Sequence, residues 1–304
     1  MAESQHKIKS KRATVTGNNQ PTRDPMTGTS EPVFAEIAEA DATGRTREIY
    51  DDFKASIGLP MVNLVYRHMA TTPGCLEWAW ALLRPHFVSG AMARVAEHLV
   101  AGLDLGERDP ISRDRLRDAG VAAAAESAIA RTLDAYNRAN PMNLIALAVL
   151  SRELESPVAD GDEAPPASEP IPTRPTVTLP PMAAVSDLPA EIEAVLSVLA
   201  TQAGVGGEAV VPTLYRHLTD WPGYLDIAVS AGARLIENGY LNREASALRE
   251  KAYSAADRLP RYTTDLPAPS ENQRHSLLRL IELFPMLIAR MMVIGVHLRR
   301  SMPD

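Results

Sequence analysis

The sequence carries the same triplet of chemically active side chains, Tyr-Arg-His, at residues 66–68 and again at residues 215–217. An arginine can bind a carboxylate through two parallel hydrogen bonds, and a histidine can act as a base or a metal ligand. Neither histidine has the spacing of a metal motif such as HExxH, so both are predicted to be structural or surface residues. For Arg67 and Arg216 we predict duplicated ion pairs or caps, and recognition of a carboxylate substrate is the alternative.

Each triplet belongs to a longer repeated stretch. Residues 60–76 read PMVNLVYRHMATTPGCL and residues 209–225 read AVVPTLYRHLTDWPGYL. The triplet, a Pro-Gly dipeptide and a leucine recur at one constant offset, and a Pro-Met dipeptide at 141–142 recurs at 285–286 at a similar offset. Chance rarely produces so many matches in a short window. We therefore predict two copies of one structural unit, with a ligand bound between them.

Three further polar side chains could do chemistry, and each has a structural alternative. Asn140 could orient a water or a substrate, or it could cap a helix that begins at Pro141. Asp220 could act as a base, or cap the helix that follows it. Arg290 lies in an apolar stretch and needs a partner, which could be a substrate carboxylate or an internal group such as Glu282.

The composition favours helices. The chain has 304 residues, of which 45% are hydrophobic and only 5% aromatic, while alanine and leucine are abundant and no long alternating β pattern occurs. We predict an all-α fold. The net charge of -7 and the sequence pI near 5.6 argue against nucleic acid as a partner, because phosphate binding requires a basic face.

Cysteine content and hydropathy indicate the compartment. The single cysteine, Cys75, excludes an internal disulfide or a multi-thiolate metal site and fits the reducing cytoplasm. The basic cluster near the amino terminus has no apolar segment behind it, so no secretory signal is predicted. The most apolar stretch, residues 284–298, contains Pro285, Arg290 and His297 and is too short to span a bilayer. We expect a cytoplasmic protein with no metal or organic cofactor and no membrane contact, and a homodimer stays open.

The composition also divides the chain into four segments. Residues 1–31 are polar and without an apolar face, so a disordered tail is predicted. Residues 32–154 form the first predicted helical repeat and residues 187–304 the second. Residues 155–186 are rich in proline and form a linker between them.

Local signals predict several helix boundaries. Helices should start at Asp109–Pro110 and at Asn140–Pro141, because an N-cap residue followed by proline suits a first turn. Gly58 should end a helix, and Ser270 with Gln273 should form a capping box. Pro285 should kink or split the last helical segment, because proline lacks a donor and clashes with the preceding turn.

Together these features resemble the group I 2-haloacid dehalogenases, the family that acts on both D- and L-2-haloacids. The resemblance runs from about residue 32 to the carboxyl terminus. It rests on the repeat layout, the segment YR-x-x-x-x-x-PG-x-L, the Trp-Pro turn at 221–222 and the Asn-Pro pair at 140–141. It implies an all-helical pseudo-dimer of two repeats joined by a long linker. The repeat unit also resembles that of the alkylhydroperoxidase-D-like and carboxymuconolactone-decarboxylase group, whose redox members need paired cysteines that this chain lacks.

The resemblance also implies site residues. In that family an aspartate of the second repeat activates a water, which displaces halide from C2 of the substrate without a covalent ester. Aligned on the Trp-Pro turn, the aspartate position is occupied here by Leu214, preceded by Thr213. Leucine can neither accept a proton nor orient a water. The base is therefore unassigned, and Asp220 is the candidate to replace it.

The family's other pocket positions are partly kept. Asn140 matches an asparagine of the family, whereas Asn143 stands where an aromatic residue is usual, and Met61 and Leu64 replace bulky aromatic residues. We predict that these residues, with Thr213, Leu214 and Arg290, contact a small carboxylic acid. The leading hypothesis is water-mediated halide displacement from a 2-halocarboxylic acid to give the 2-hydroxy acid. The alternatives are a non-catalytic or differently catalytic small-acid-binding protein on the same scaffold, and a structural helical interaction module.

Overall fold

The described residues of the structure, a computed structural model, form α-helices and no β-strand, so the predicted all-α fold is confirmed. The structure describes residues 35–106, 109–157, 178–182, 184, 187–204 and 211–303. The predicted tail and most of the predicted linker lie outside these ranges.

The described helices follow the same sequence of lengths before and after the linker. The first part contains a 14-residue helix, a short helix, two intermediate helices, a short α5 and a 33-residue helix: α1 (Gly44–Ile57), α2 (Leu64–Met69), α3 (Cys75–Val88), α4 (Ala91–Ala101), α5 (Arg113–Asp118) and α6 (Ala123–Glu155). The second part repeats this order without α5: α7 (Ala190–Ala203), α8 (Thr213–His217), α9 (Pro222–Glu237), α10 (Tyr240–Ala256) and α11 (Glu271–Ser301). The duplication itself stays a prediction from the sequence.

The two longest helices pack against each other and form the centre of the fold. Every residue of α6 from 139 to 151 is buried, so this part of the helix is covered on all sides. Such a helix is apolar all round rather than amphipathic. The Asn137 Nδ2 donates to the carbonyl oxygen of Gly295 at 3.0 Å and ties α6 to α11. Among the described helices, none combines the length and apolarity needed to cross a membrane.

Two predicted helix starts are wrong. Asn140 and Pro141 lie inside α6, and Pro285 lies inside α11 without splitting it. A proline removes one backbone hydrogen bond and strains the preceding turn, but burial of the surrounding apolar residues compensates for that cost. The other wrong start is at Asp109, since α5 begins at Arg113 with Ser112 as its cap.

Other local signals are confirmed. Gly58 ends α1 in the left-handed conformation at φ 71°, which glycine adopts without steric cost. Ser270 and Gln273 form the predicted capping box at the start of α11. Glu153 of α6, only 5% exposed, accepts hydrogen bonds from Arg261 at 3.1 and 2.8 Å. This ion pair ties the segment between α10 and α11 to the central helix.

Candidate functional site

A small cavity lies where α2, α6, α8 and α11 meet. Its volume is about 60 Å³, room for on the order of four water molecules. Only a ligand of a few heavy atoms fits without movement of the walls. The lining residues are Asn63, Leu64, Val65, Tyr136, Asn140, Asn143, Pro212, Thr213, Leu214, Phe284, Leu287, Ile288 and Met291.

Helical spacing explains which side chains of the long helices reach the cavity. From α6 come Tyr136, Asn140 and Asn143, and from α11 come residues 284, 287, 288 and 291. Residues at i, i+3, i+4 and i+7 share one face of a helix. The face contributed by α6 is polar and that of α11 is apolar, so the cavity has two chemically different walls.

The two short helices close the cavity with their first turns. Leu64 and Val65 are the first residues of α2, and Thr213 and Leu214 are the first residues of α8. The residues before them, Asn63 and Pro212, are extended, with ψ 151° and 136°. The backbone N–H groups of a first helical turn have no acceptor within the helix. The first turn of each short helix therefore faces a cavity in which a ligand could accept hydrogen bonds.

Five of the residues predicted from the sequence lie together in this cavity: Leu64, Asn140, Asn143, Thr213 and Leu214. Asn140 is an interior residue of α6, so its predicted role as an N-cap is wrong, and its side chain is available to the cavity. Leu214 is 0% exposed. The stretch used twice by the chain thus contributes one wall residue pair from each copy.

Three predicted site residues lie elsewhere. Met61 is buried but does not line the cavity. Asp220 is exposed, and the cap position of α9 is Trp221 without a side-chain hydrogen bond, so the predicted cap at Asp220 is wrong. Arg290 donates to Asn242 Oδ1 at 2.8 Å and to the Gly204 carbonyl oxygen. Its partners in the described chain are therefore internal polar groups.

Sequence reasoning missed Asn63, Tyr136 and the apolar residues of α11. Tyr136 follows Ile129 and Leu133 on one helical stripe, which indicated an ordinary core residue. The available signal was its spacing from Asn140 and Asn143, which places all three on one face of a continuous helix. The false helix break at Asn140 concealed that relation.

The lining is uncharged at neutral pH. It contains no Asp, Glu, His, Lys or Arg side chain. Burial raises the pKa of the Tyr136 hydroxyl, more than Thr213, Arg67 and Arg216 lower it. The side-chain oxygens of Asn63 and Asn143 are buried without a hydrogen-bond partner, and a buried amide without a partner is costly. The cavity can therefore hydrogen-bond a small ligand, but its described lining holds no carboxylate base.

The described residues also contain no group of three or more His, Cys, Asp or Glu side chains placed to hold a metal ion. Cys75 is buried at the start of α3, and burial raises the pKa of its thiol to about 11. Such a thiol is protonated at neutral pH and is a weak nucleophile.

Comparison with known proteins supports the resemblance. No family model matches the chain. It is 24% identical over 284 residues to an (R)-2-haloacid dehalogenase of Pseudomonas putida, covering 89% of this chain and 93% of that protein. It is 26% identical over 137 residues to a configuration-inverting 2-haloacid dehalogenase of Alcaligenes xylosoxydans xylosoxydans, covering 44% of this chain. This second match spans about half (46%) of the Alcaligenes protein.

Solved structures agree in fold. A D-2-haloacid dehalogenase in complex with L-LA superposes with a TM-score of 0.74 at 22% identity, covering 89% of this chain and 97% of that one. A mutant D-2-haloacid dehalogenase with D-2-CPA gives a TM-score of 0.73 at 21% identity, covering 89% and 96%. The predicted resemblance to 2-haloacid dehalogenases is thus confirmed at the level of homology. The resemblance of the repeat to the alkylhydroperoxidase-D-like unit stays a prediction.

Proposed function

We propose that this chain is a 2-haloacid dehalogenase-like protein whose cavity binds a small 2-substituted carboxylic acid. The observation that carries the proposal is the meeting of Asn140 and Asn143 from α6 with Thr213 and Leu214 from α8. The resemblance picks out these positions from distant parts of the sequence, and the structure brings them to one cavity. The homology with haloacid dehalogenases over 89% of the chain supports the same function.

The two walls of the cavity suit the two ends of such a ligand. The apolar residues of α11 can pack against an alkyl group and a halogen, which gain from leaving water. The asparagine amides and the N–H groups at the start of α2 and α8 can donate to a carboxylate. The small volume, about 60 Å³, favours acids with two to four carbon atoms.

The proposed reaction is displacement of halide from C2 by water, giving the 2-hydroxy acid. A carboxylate base would take the proton of that water. Leu214 occupies the position that the resemblance assigns to the base, and no lining residue replaces it. The second candidate function, binding of a small acid without turnover, is favoured by this specific observation. A purely structural module has no use for a cavity lined by unpartnered amides.

The same proposal includes a site between two copies of one helical unit, because α2 and α8 carry the repeated stretch. A cytoplasmic location and a homodimer stay predictions.

The test is a paired measurement of binding and turnover. We would titrate the purified chain with D- and L-2-chloropropionate by calorimetry and follow halide release by ion chromatography. Halide release supports the dehalogenase, and binding without release selects the small-acid-binding protein. Failure of both acids to bind contradicts the proposal. Asn143→Leu, which keeps the size of the side chain but removes its polar atoms, should weaken binding about tenfold.

A further inference from the structure

Tyr136 has a polar group facing a cavity that its other neighbours do not use. It lines the cavity from α6 and is only 2% exposed. Its hydroxyl has no hydrogen-bond partner among the described residues. Since buried hydroxyl groups in folded proteins almost always have a partner, this group is placed to bind a ligand.

The two repeated triplets meet beside Tyr136. Its ring centroid lies 5.9 Å from that of His217. Arg67 and Arg216 both lie close enough to lower the pKa of the Tyr136 hydroxyl, and Arg67 also lowers the pKa of Arg216, after the larger effect of burial. Two guanidinium groups from separate copies of the motif therefore stand behind one cavity residue.

The charges around this pair do not cancel. Arg67, 4% exposed, pairs with Glu36 at 2.9 Å, and Glu36 also acts on Arg216. The other carboxylate that acts on Tyr136, Glu39, pairs with Lys54 at 3.3 Å. Burial lowers the pKa of His217, so its ring is neutral at pH 7. The named groups carry one net positive charge, beside a cavity whose own lining is uncharged.

We propose that Tyr136 is the carboxylate-binding donor of the cavity, and that Arg67 and Arg216 behind it supply the positive charge that makes the cavity select an anion. This inference rests on the proposed function and names the group that reads the acid end of the ligand.

The physical reason is the cost of taking a carboxylate out of water. An uncharged cavity would bind a carboxylate worse than its neutral amide, because desolvation penalises the charged form. A net positive charge within a few ångströms reverses that preference. A protonated phenol then donates a short, strong hydrogen bond to the carboxylate. Because burial raises its pKa, Tyr136 remains protonated and acts in recognition rather than as the base.

The experiment compares an acid with its neutral isostere. The full chain and its variants would be titrated by calorimetry with 2-chloropropionate and with 2-chloropropionamide. The wild type should bind the acid roughly tenfold or more tightly than the amide, since a hydrogen bond to a charged group is worth about that factor. Tyr136→Phe should weaken acid binding about tenfold and change amide binding by less than about twofold.

Two matched variants separate charge from packing. Tyr224→Phe removes a hydroxyl that is equally buried and unpartnered but lies outside the lining, so it should leave both affinities unchanged. Arg216→Gln should lower acid affinity about tenfold, and Arg216→Lys, which keeps the charge, should retain most of it. If Arg216→Gln does not unfold cooperatively, Tyr136→Phe decides alone.

Three outcomes overturn the inference. Equal affinity of the wild type for acid and amide shows that the cavity does not select an anion. Unchanged acid binding by Tyr136→Phe removes the donor role, while leaving the proposed function intact. Absence of binding by either ligand contradicts the proposed function as well.

Discussion

A Cβ atom on Gly223 would lie 1.7 Å from the carbonyl oxygen of Ala119, so the first turn of α9 packs directly against the end of α5. The corresponding glycine of the first copy, Gly74, is needed for another reason. It precedes α3 with φ 84°, a conformation that side chains disfavour. One repeated Pro-Gly dipeptide thus satisfies two different steric requirements.

Gly223→Ala is therefore expected to destabilise the fold by about 2 kcal/mol or more, because backbone atoms must move to accept the methyl group. The measurement is the free energy of unfolding in urea. Gly239→Ala is the matched control, since its Cβ would meet nothing within 4 Å at φ 70° and should cost only about 1 kcal/mol. Equal losses in the two variants would contradict the close approach of α9 and α5.

Leu214→Asp is expected to raise halide release from 2-chloropropionate by about 10²–10⁴-fold over the wild type, the usual contribution of a positioned base. Halide release is followed at several pH values, and it should increase with pH as the new carboxylate ionises. Leu214→Asn, of the same size but unable to act as a base, should stay at the wild-type rate. Equal rates for Asp and Asn would show that residue 214 does not reach the water. Burial of the aspartate should also lower stability by about 2 kcal/mol or more.

Arg290→Met is expected to leave the affinity for 2-chloropropionate within about twofold of the wild type while lowering the free energy of unfolding by about 1–3 kcal/mol. The reason is that Arg290 bonds Asn242 and the Gly204 carbonyl rather than the cavity. Calorimetric titration and urea unfolding measure the two effects. A large loss of affinity with unchanged stability would return Arg290 to the binding site.

His86 should make the fold less stable in mild acid. Its ring is 1% exposed, and burial together with Arg152 lowers its pKa from 6.5 to about 4. Between these values the unfolded chain binds a proton that the folded chain does not, so stability falls as the pH falls from about 6.5 to 4. The contribution approaches about 3 kcal/mol.

Urea unfolding of the wild type and of His86→Leu between pH 7 and 4 measures this contribution. The variant should lose less stability over that interval, because the carboxylates are common to both proteins. Parallel pH profiles would show that His86 is already protonated in the fold.

The sequence by itself determined the class of the fold and several of its boundaries. Alanine and leucine at helical spacing require helices, and the ends marked by Gly58 and by Ser270 depend on hydrogen bonds within one or two turns. Such local interactions are fully encoded by neighbouring residues. The resemblance also identified Asn140 and Leu214 as cavity positions before any coordinates were considered.

Only the tertiary structure decided how α6 continues and what lines the cavity. Pro141 has the local character of a helix start, but burial from residue 139 to 151 outweighs the cost of a proline within the helix. The partners of Arg290 and the setting of Tyr136 depend on helices far apart in the chain. Packing of four helices places those groups together, and no local signal records it, because burial and charge proximity are properties of the assembled core.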